Sequence, residues 1–276
     1  MTKTVHVSGC SFTENASWVN NLFENATTVI NRAHSSAGNR YISDSIVLNI
    51  DLKNKPDFVF ALFSGINRVD TVVPHSNIVK TAVRMGLNGS NMIGSNSAVI
   101  GTSAYIFSGG SHYNRLINDN YKNINHYGWP NVKSIEEFLN LSSEQKEACI
   151  NNKLFWWNSN DIAGMIHIAS MLQYLDNPEY LSDQTYIALE RFQTFLNLHQ
   201  IDYKFGFIHD PFDKKHHDHL GFLNKQSSRY HCIDWRKYVK INPYEFGIKH
   251  DFVSPDGFHI CPEGMNKWAD SIKQFF

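Results

Sequence analysis

The run FVFALF at residues 58–63 restricts the fold more than any other feature, because six consecutive apolar residues suit a strand covered on both faces. The run follows Pro56 and stops at Ser64 and Gly65, so residues typical of turns and strand ends bound it on both sides. This pattern predicts a fully buried strand in a parallel sheet.

The segments before this run alternate between strand and helix patterns. Apolar and polar side chains alternate over residues 4–7, which precede a turn at Ser8, and residues 16–26 have apolar side chains at helical spacing. Residues 27–30 are β-branched, and residues 41–52 read as a helix. This β-α-β-α-β order predicts an α/β fold, a three-layer sandwich with a central parallel sheet. Ligands bind beyond the carboxyl ends of such strands, so the loops starting at Ser8, His34 and Ser64 should share one edge.

The rest of the chain is expected to complete one domain, residues 1–276, with a mostly helical and loop insertion at about residues 71–200. Residues 88–131 are rich in Gly, Ser, Asn and Tyr and read as an elaborated loop region. Helices are predicted at residues 134–152, 161–175, 182–199 and 263–276, and a strand at residues 203–208.

Composition excludes several classes of protein. The formal net charge is -1, whereas a nucleic-acid binder usually has a basic excess, so no nucleic-acid partner is expected. No stretch approaches the roughly 20 apolar residues of a membrane span, and the first residues contain no apolar signal segment. We therefore expect a cytoplasmic protein as synthesised, without a membrane partner and with its four cysteines reduced.

Ser11 follows the first strand, within residues 9–13. A serine at a strand-to-helix turn is exposed at the edge of the sheet, and its N–H lies near a helix N-terminus, where negative charge is favoured. Ser11 is therefore a candidate nucleophile. An N-cap or turn serine without a chemical role fits the same position.

Two further loops offer hydrogen-bond donors. Gly38 follows the second strand, where a glycine lets the backbone approach a substrate and present an N–H. Asn67 follows the third strand, and its amide can donate to a developing oxyanion. With the N–H of Ser11, these two residues form a candidate oxyanion hole. Each position also fits an ordinary turn residue.

The fourth segment is SPDGFH at residues 254–259, which leads into the last predicted helix. Asp256 and His259 lie three residues apart, so the carboxylate can hold one tautomer of the imidazole, as a general base requires. A surface loop with an incidental histidine is the alternative.

The order of these four segments resembles the SGNH (GDSL-like) hydrolase family. In that family a serine follows strand one, a glycine follows strand two, an asparagine in a GxN motif follows strand three, and a DxxH motif precedes the last helix. Ser11, Gly38, Asn67, Asp256 and His259 fall on those positions. The resemblance covers roughly residues 4–70 and 200–276 and says little about residues 71–200.

The resemblance implies a flavodoxin-like fold and a serine esterase whose triad is Ser11, Asp256 and His259. It implies a short-chain or acetyl ester as the substrate, either a small molecule or a carbohydrate, and no metal or organic cofactor. Similar proteins occur in polysaccharide-modifying systems of bacteria and their phages, so a phage- or virion-associated location stays open. The oligomeric state is also open.

Three residues depart from the family pattern. Cys10 replaces the Asp of the GDS motif, Phe12 replaces the usual Leu, and Arg68 replaces the Asp that often follows the Asn. None of these changes removes a catalytic atom. Cys10 is an alternative nucleophile, but its side chain is one position away and should point into the sheet.

Other functions remain open at this level. A same-fold acyltransferase would use the same serine and exclude water, and a binding or structural protein would keep the fold without turnover. The cluster DKKHHDH at residues 213–219 contains possible metal ligands, His216, His217 and His219, but it lacks regular spacing and reads as a solvated loop.

Overall fold

A computed structural model of the chain describes residues 3–14, 16–66, 68, 70–76, 97–107, 142, 178–213, 222–255 and 259–276. The described residues form seven strands: β1 Thr4–Ser8, β2 Thr28–Asn31, β3 Phe58–Phe63, β4 Asp70–Pro74, β5 Ser97–Ile100, β6 Ser103–Phe107 and β7 Asp202–Phe207. They also form five α-helices: α1 Ser17–Leu22, α2 Asn39–Val47, α3 Pro178–Leu198, α4 Pro243–Lys249 and α5 Pro262–Ile272.

A four-stranded parallel sheet in the order β2-β1-β3-β7 lies at the centre of the fold. The strand predicted from the FVFALF run is β3, and its last five residues are buried. Because β3 pairs with β1 on one side and β7 on the other, it is an inner strand, and both of its faces need apolar side chains.

Helices cover both faces of this sheet. Side chains three positions apart on a strand point to opposite faces, so Phe60 and Phe63 mark the two sides of β3. Phe60 contacts Trp18 of α1, and Phe63 contacts Phe192 of α3. Helix α1 packs against α5, and α2 packs against α3. The fold is therefore an α/β sandwich, as the alternation of strands and helices predicted.

A second sheet, antiparallel and in the order β4-β6-β5, lies within the segment predicted as a mostly helical and loop insertion. Strands β5 and β6 form a hairpin whose turn contains Gly101 at a φ of 59°. The loop predicted at residues 88–131 thus contains two strands. Their short alternating patterns, SAVI and SAYIF, stand among Gly, Ser and Asn residues that read as a loop.

The observed helices that correspond to predicted ones differ from them mainly at their ends, whereas α4 was not predicted. Helix α2 begins and ends earlier than predicted, and a 3₁₀ turn at Lys273–Phe275 follows α5. Helix α3 corresponds to the helix predicted at residues 182–199, and β7 to the strand at residues 203–208. The helices predicted at residues 134–152 and 161–175 lie outside the described residues. Within the described ranges, no helix has both the length and the apolar composition that a bilayer span requires.

Candidate active site

The loop after β1 presents Ser11 at the carboxyl edge of the sheet. The carbonyl of Cys10 accepts hydrogen bonds from the N–H of Thr13 at 2.8 Å and of Glu14 at 3.0 Å, so the chain turns tightly around Ser11. A Cβ on Gly9 would overlap the hydroxyl of Thr13, so the turn requires glycine there. Ser11 itself is half-buried.

His259 lies beside Ser11, although 248 residues separate the two in the chain. The Oγ of Ser11 and the Nε2 of His259 are 3.1 Å apart, which is hydrogen-bond distance. The ring of Phe12 packs against the imidazole with a centroid distance of 5.3 Å. The sequence predicted that Ser11 and His259 lie within hydrogen-bond distance, and the geometry agrees with that prediction, whereas their roles as nucleophile and base stay predictions.

Two backbone hydrogen bonds hold His259 at this position. The carbonyl of His259 accepts from the N–H of Ser254 at 2.7 Å, and the N–H of Cys261 donates to the carbonyl of Phe252 at 2.8 Å. Helix α5 begins directly afterwards, with Pro262 at its first turn. The histidine is therefore held between a short β-bridge and the start of α5, a helix that buries one of its faces.

The packing of α1 against α5 brings the two distant segments together. Trp18 and Trp268 meet edge to face with centroids 5.1 Å apart, and both are fully buried. At the rim, Asn21 donates to Asp270 at 3.1 Å. Since α1 follows the loop that bears Ser11 and α5 follows His259, this pairing places the two side chains at the same edge of the sheet.

Asp256 and Asn67, the predicted triad acid and the predicted side-chain oxyanion donor, lie outside the described residues. Their roles remain predictions. The nearest described residues are Pro255 and His259 on one loop and Ile66 and Arg68 on the other.

Gly38 occupies the N-cap position of α2, and its N–H donates to Oδ1 of Asp70 at 2.7 Å. The N–H of Tyr41 donates to the other carboxyl oxygen at 2.6 Å, so Asp70 satisfies two donors at the start of the helix. A Cβ on Gly38 would lie 2.6 Å from Asp70 Oδ1 and 2.7 Å from the carbonyl of Arg68. The glycine is thus required by the close approach of β4.

Burial raises the pKa of Asp70 to about 7, and the two backbone donors, from Tyr41 and then Gly38, oppose that rise. The side chains of Arg40 and Asp44 act more weakly, in opposite directions. Sequence reasoning missed Asp70 because a single acid at the start of an unpredicted strand gives no signal.

Three hydrogen bonds join the loop after β2 to the serine loop. The N–H of His34 donates to the carbonyl of Gly9 at 3.1 Å, and the N–H of Ser35 donates to the carboxylate of Glu14 at 2.9 Å. The amide of Asn31 donates to the carbonyl of Thr13 at 2.7 Å. The two loops therefore form one rigid edge around Ser11.

Hydrogen bonds to Asn39 of α2 hold the end of β3. Asn39 is buried, and its Oδ1 accepts from the N–H of Ser64 at 2.8 Å and from its hydroxyl at 3.1 Å. The amide nitrogen of Asn39 donates to the hydroxyl of Thr185 on α3 at 3.1 Å. The strand end that leads to Asn67 is thus attached to both helices of that layer.

Cys10 is completely buried, whereas Ser11 is half-buried. A buried thiol cannot reach a substrate at the sheet edge, so exposure favours Ser11 over Cys10 as nucleophile.

Among the described residues, no group of three or more His, Cys, Asp or Glu side chains is arranged to hold a metal ion. Residues 214–220, with the three clustered histidines, lie outside the described ranges. A comparison of the chain with protein-family models and with curated protein sequences finds no match.

Proposed function

We propose that this chain is a serine hydrolase of the SGNH type that cleaves an acyl ester on a flavodoxin-like α/β fold. The observation that carries the proposal is the 3.1 Å separation of Ser11 Oγ and His259 Nε2 at the carboxyl edge of a parallel sheet. Binding sites of such sheets lie at this edge, and a hydroxyl within reach of an imidazole is the arrangement that activates a serine.

In the reaction, the hydroxyl of Ser11 donates its proton to Nε2 of His259 while Oγ bonds to the ester carbonyl carbon. The carbonyl oxygen becomes an oxyanion, stabilised by the N–H of Ser11, a donor from the loop after β2, and the predicted amide of Asn67. The imidazolium returns the proton to the alcohol oxygen as the ester C–O bond breaks. Water then repeats these steps on the acyl-serine, which releases the carboxylic acid and restores Ser11.

The resemblance supports a short-chain or acetyl ester, on a small molecule or a carbohydrate, and no cofactor enters this cycle. Asp256 is the proposed partner of the second imidazole nitrogen. Acyl transfer to an alcohol would follow the same first half-reaction, and comparing products with and without an added alcohol separates the two outcomes.

The first test combines a series of p-nitrophenyl esters with a fluorophosphonate probe, which modifies activated serines. Replacing Ser11 by Ala should lower kcat by several orders of magnitude and abolish labelling, because it removes the proposed nucleophile. Tm should stay unchanged, because the substitution removes only one half-buried hydroxyl.

The matched control is Cys10→Ala at the neighbouring position, which should keep both turnover and labelling. Near-normal turnover in Ser11→Ala would refute the proposed nucleophile. Absence of turnover and labelling in the unmodified protein would favour the binding-protein alternative.

A further inference from the structure

The backbone donors of residues 32–38 are almost all used within the protein. Six of these seven residues donate their N–H to a protein acceptor: Arg32 to Val7, Ala33 to Asn31, His34 to Gly9, Ser35 to Glu14, Ala37 to His34 and Gly38 to Asp70. Within the described part of the chain, the N–H of Ser36 has no hydrogen-bond acceptor.

The conformation of Ser36 explains why its N–H is not used. The N–H of Ala37 donates to the carbonyl of His34 at 3.1 Å, which closes a four-residue turn with Ser36 in its third position. Ser36 has a φ of 65°, the left-handed value that a type II turn requires there and that favours glycine. The N–H of Ser36 lies in the peptide between the second and third residues of the turn, and this peptide takes no part in the hydrogen bond that closes the turn.

The turn lies against the loop that bears Ser11. Of the two residues before Ser36, His34 bonds to Gly9 and Ser35 bonds to Glu14. Gly9 and Glu14 lie on either side of Ser11 in the sequence, so the flanking bonds hold the turn beside the nucleophile. They also explain how a non-glycine residue is kept in a strained conformation, which is common at functional sites.

Gly38 differs from Ser36 in both accessibility and bonding. Gly38 is buried, whereas Ser36 is partly exposed. The N–H of Gly38 is 2.7 Å from a carboxyl oxygen of Asp70, and a Cβ at Gly38 would overlap that carboxyl group. Donating instead to an oxyanion would leave a buried carboxyl group with one donor fewer, so it would weaken the start of α2 during each turnover.

On the basis of the proposed serine-hydrolase function, we propose that the backbone N–H of Ser36, and not that of Gly38, is the oxyanion donor supplied by the loop after β2. When Ser11 Oγ bonds to the carbonyl carbon, the carbonyl oxygen takes the negative charge and accepts this N–H. Gly38 serves to anchor α2 and β4 through Asp70.

Replacing a single peptide N–H by an ester oxygen tests this proposal directly. Lactic acid at position 36 carries the side chain of alanine. Its comparison with Ser36→Ala therefore isolates the loss of the N–H of residue 36. Glycolic acid at position 38 removes the N–H of Gly38 alone. The readouts are kcat and KM for p-nitrophenyl acetate and Tm for each full-length protein.

We expect the position-36 ester to lower kcat by roughly 10²–10³-fold with KM and Tm nearly unchanged, as for other oxyanion donors. The position-38 ester should lower Tm. Its kcat, measured below the thermal transition, should stay within about threefold of the unmodified value, because on this proposal the N–H of Gly38 lies outside the oxyanion hole. Ser36→Gly should be at least as stable as the unmodified protein, because glycine relieves the left-handed strain at this position.

The reverse pattern, a normal kcat at position 36 and a large loss at position 38, overturns this proposal and leaves the serine hydrolase intact. If the position-36 ester does not fold, the position-38 ester decides, since a large loss of kcat there assigns the donor to Gly38. If the unmodified protein neither turns over esters nor reacts with the fluorophosphonate, the proposed function and this inference both fail.

Discussion

The imidazole of His259 needs a partner on its second nitrogen if Nε2 is to accept the proton of Ser11. Asp256 is the predicted partner, three residues earlier on the same loop. Its carboxylate would hold the required tautomer and stabilise the imidazolium.

Replacing Asp256 by Asn should therefore lower kcat by about 10⁴-fold while KM and Tm stay close to their original values, because the amide keeps the shape and favours the wrong tautomer. Steady-state kinetics with p-nitrophenyl acetate measure this effect. Asp251→Asn is the matched control, since Asp251 is exposed and has a φ of 60°, which Asn tolerates well. Equal effects of the two substitutions would remove Asp256 from the triad.

Single residues also show where sequence reasoning reaches its limit. The contact between Ser11 and His259 was predictable, because each residue stands in a motif with a recognisable spacing. Gly38 was singled out as a glycine that presents an N–H, and the structure adds a second reason for a glycine there, because a Cβ would meet Asp70 and Arg68. Its place in the oxyanion hole stays a prediction. A sequence does not reveal which of these two reasons requires a glycine, because both give the same letter.

At the scale of whole elements, the parallel strands were predictable and the antiparallel sheet was not. Strands β1, β3 and β7 contain mostly buried residues, and burial of inner strands on both faces favours apolar runs such as that of β3. Strand β2 is only partly buried, but its β-branched residues also favour a strand. Strands β4 and β6 pack against α2 through particular side chains. One example is the hydroxyl of Tyr105, which donates to the buried carboxylate of Asp44 at 2.6 Å. Such long-range contacts leave no periodic pattern.

Asn39 of α2 connects this helix to the end of β3 and to α3. Replacing Asn39 by Ala removes the acceptor of the Ser64 N–H and hydroxyl and the donor to Thr185, all of them buried. We expect the free energy of unfolding to fall by about 2–3 kcal/mol, because buried donors lose their partner. Urea denaturation measures the change.

Asn54→Ala is the control for this substitution. Asn54 is exposed, and its side chain donates to the carboxylate of Asp51 in the same turn at 2.8 Å, so the loss should stay within about 0.5 kcal/mol. A loss at Asn39 as small as the loss at Asn54 would show that the connection between β3, α2 and α3 does not stabilise the fold.

At the scale of the whole molecule, two buried groups should make stability depend on pH in opposite directions. Burial, followed by the charge of Arg32, lowers the pKa of His6 to about 4. Its contribution to stability is therefore present above about pH 6.5 and is lost as the pH falls toward 4. Burial raises the pKa of Asp70 to about 7, so its contribution is present below about pH 4 and is lost as the pH rises toward 7.

Between pH 4 and 7 these two dependences partly cancel, and single substitutions should reveal them. As the pH rises, the free energy of unfolding of His6→Gln should fall more steeply than the free energy of unfolding of the unmodified protein. Over the same range, the free energy of unfolding of Asp70→Asn should rise. Each group contributes at most about 1.4 kcal/mol per pH unit. Urea denaturation at four pH values gives the profiles, and three parallel profiles would contradict the proposed titrations.

The separation of Ser11 and His259 by 248 residues has a consequence for protein synthesis. A ribosome synthesises Ser11, the proposed nucleophile, long before it synthesises His259, the proposed base. A nascent chain can form the first strands of the sheet and present Ser11, but His259 is not held beside it until α5 has been made and packs on α1. On the proposed mechanism, a chain in which α5 has not yet packed on α1 would carry an unactivated serine, and the reactive serine would arise only with that packing.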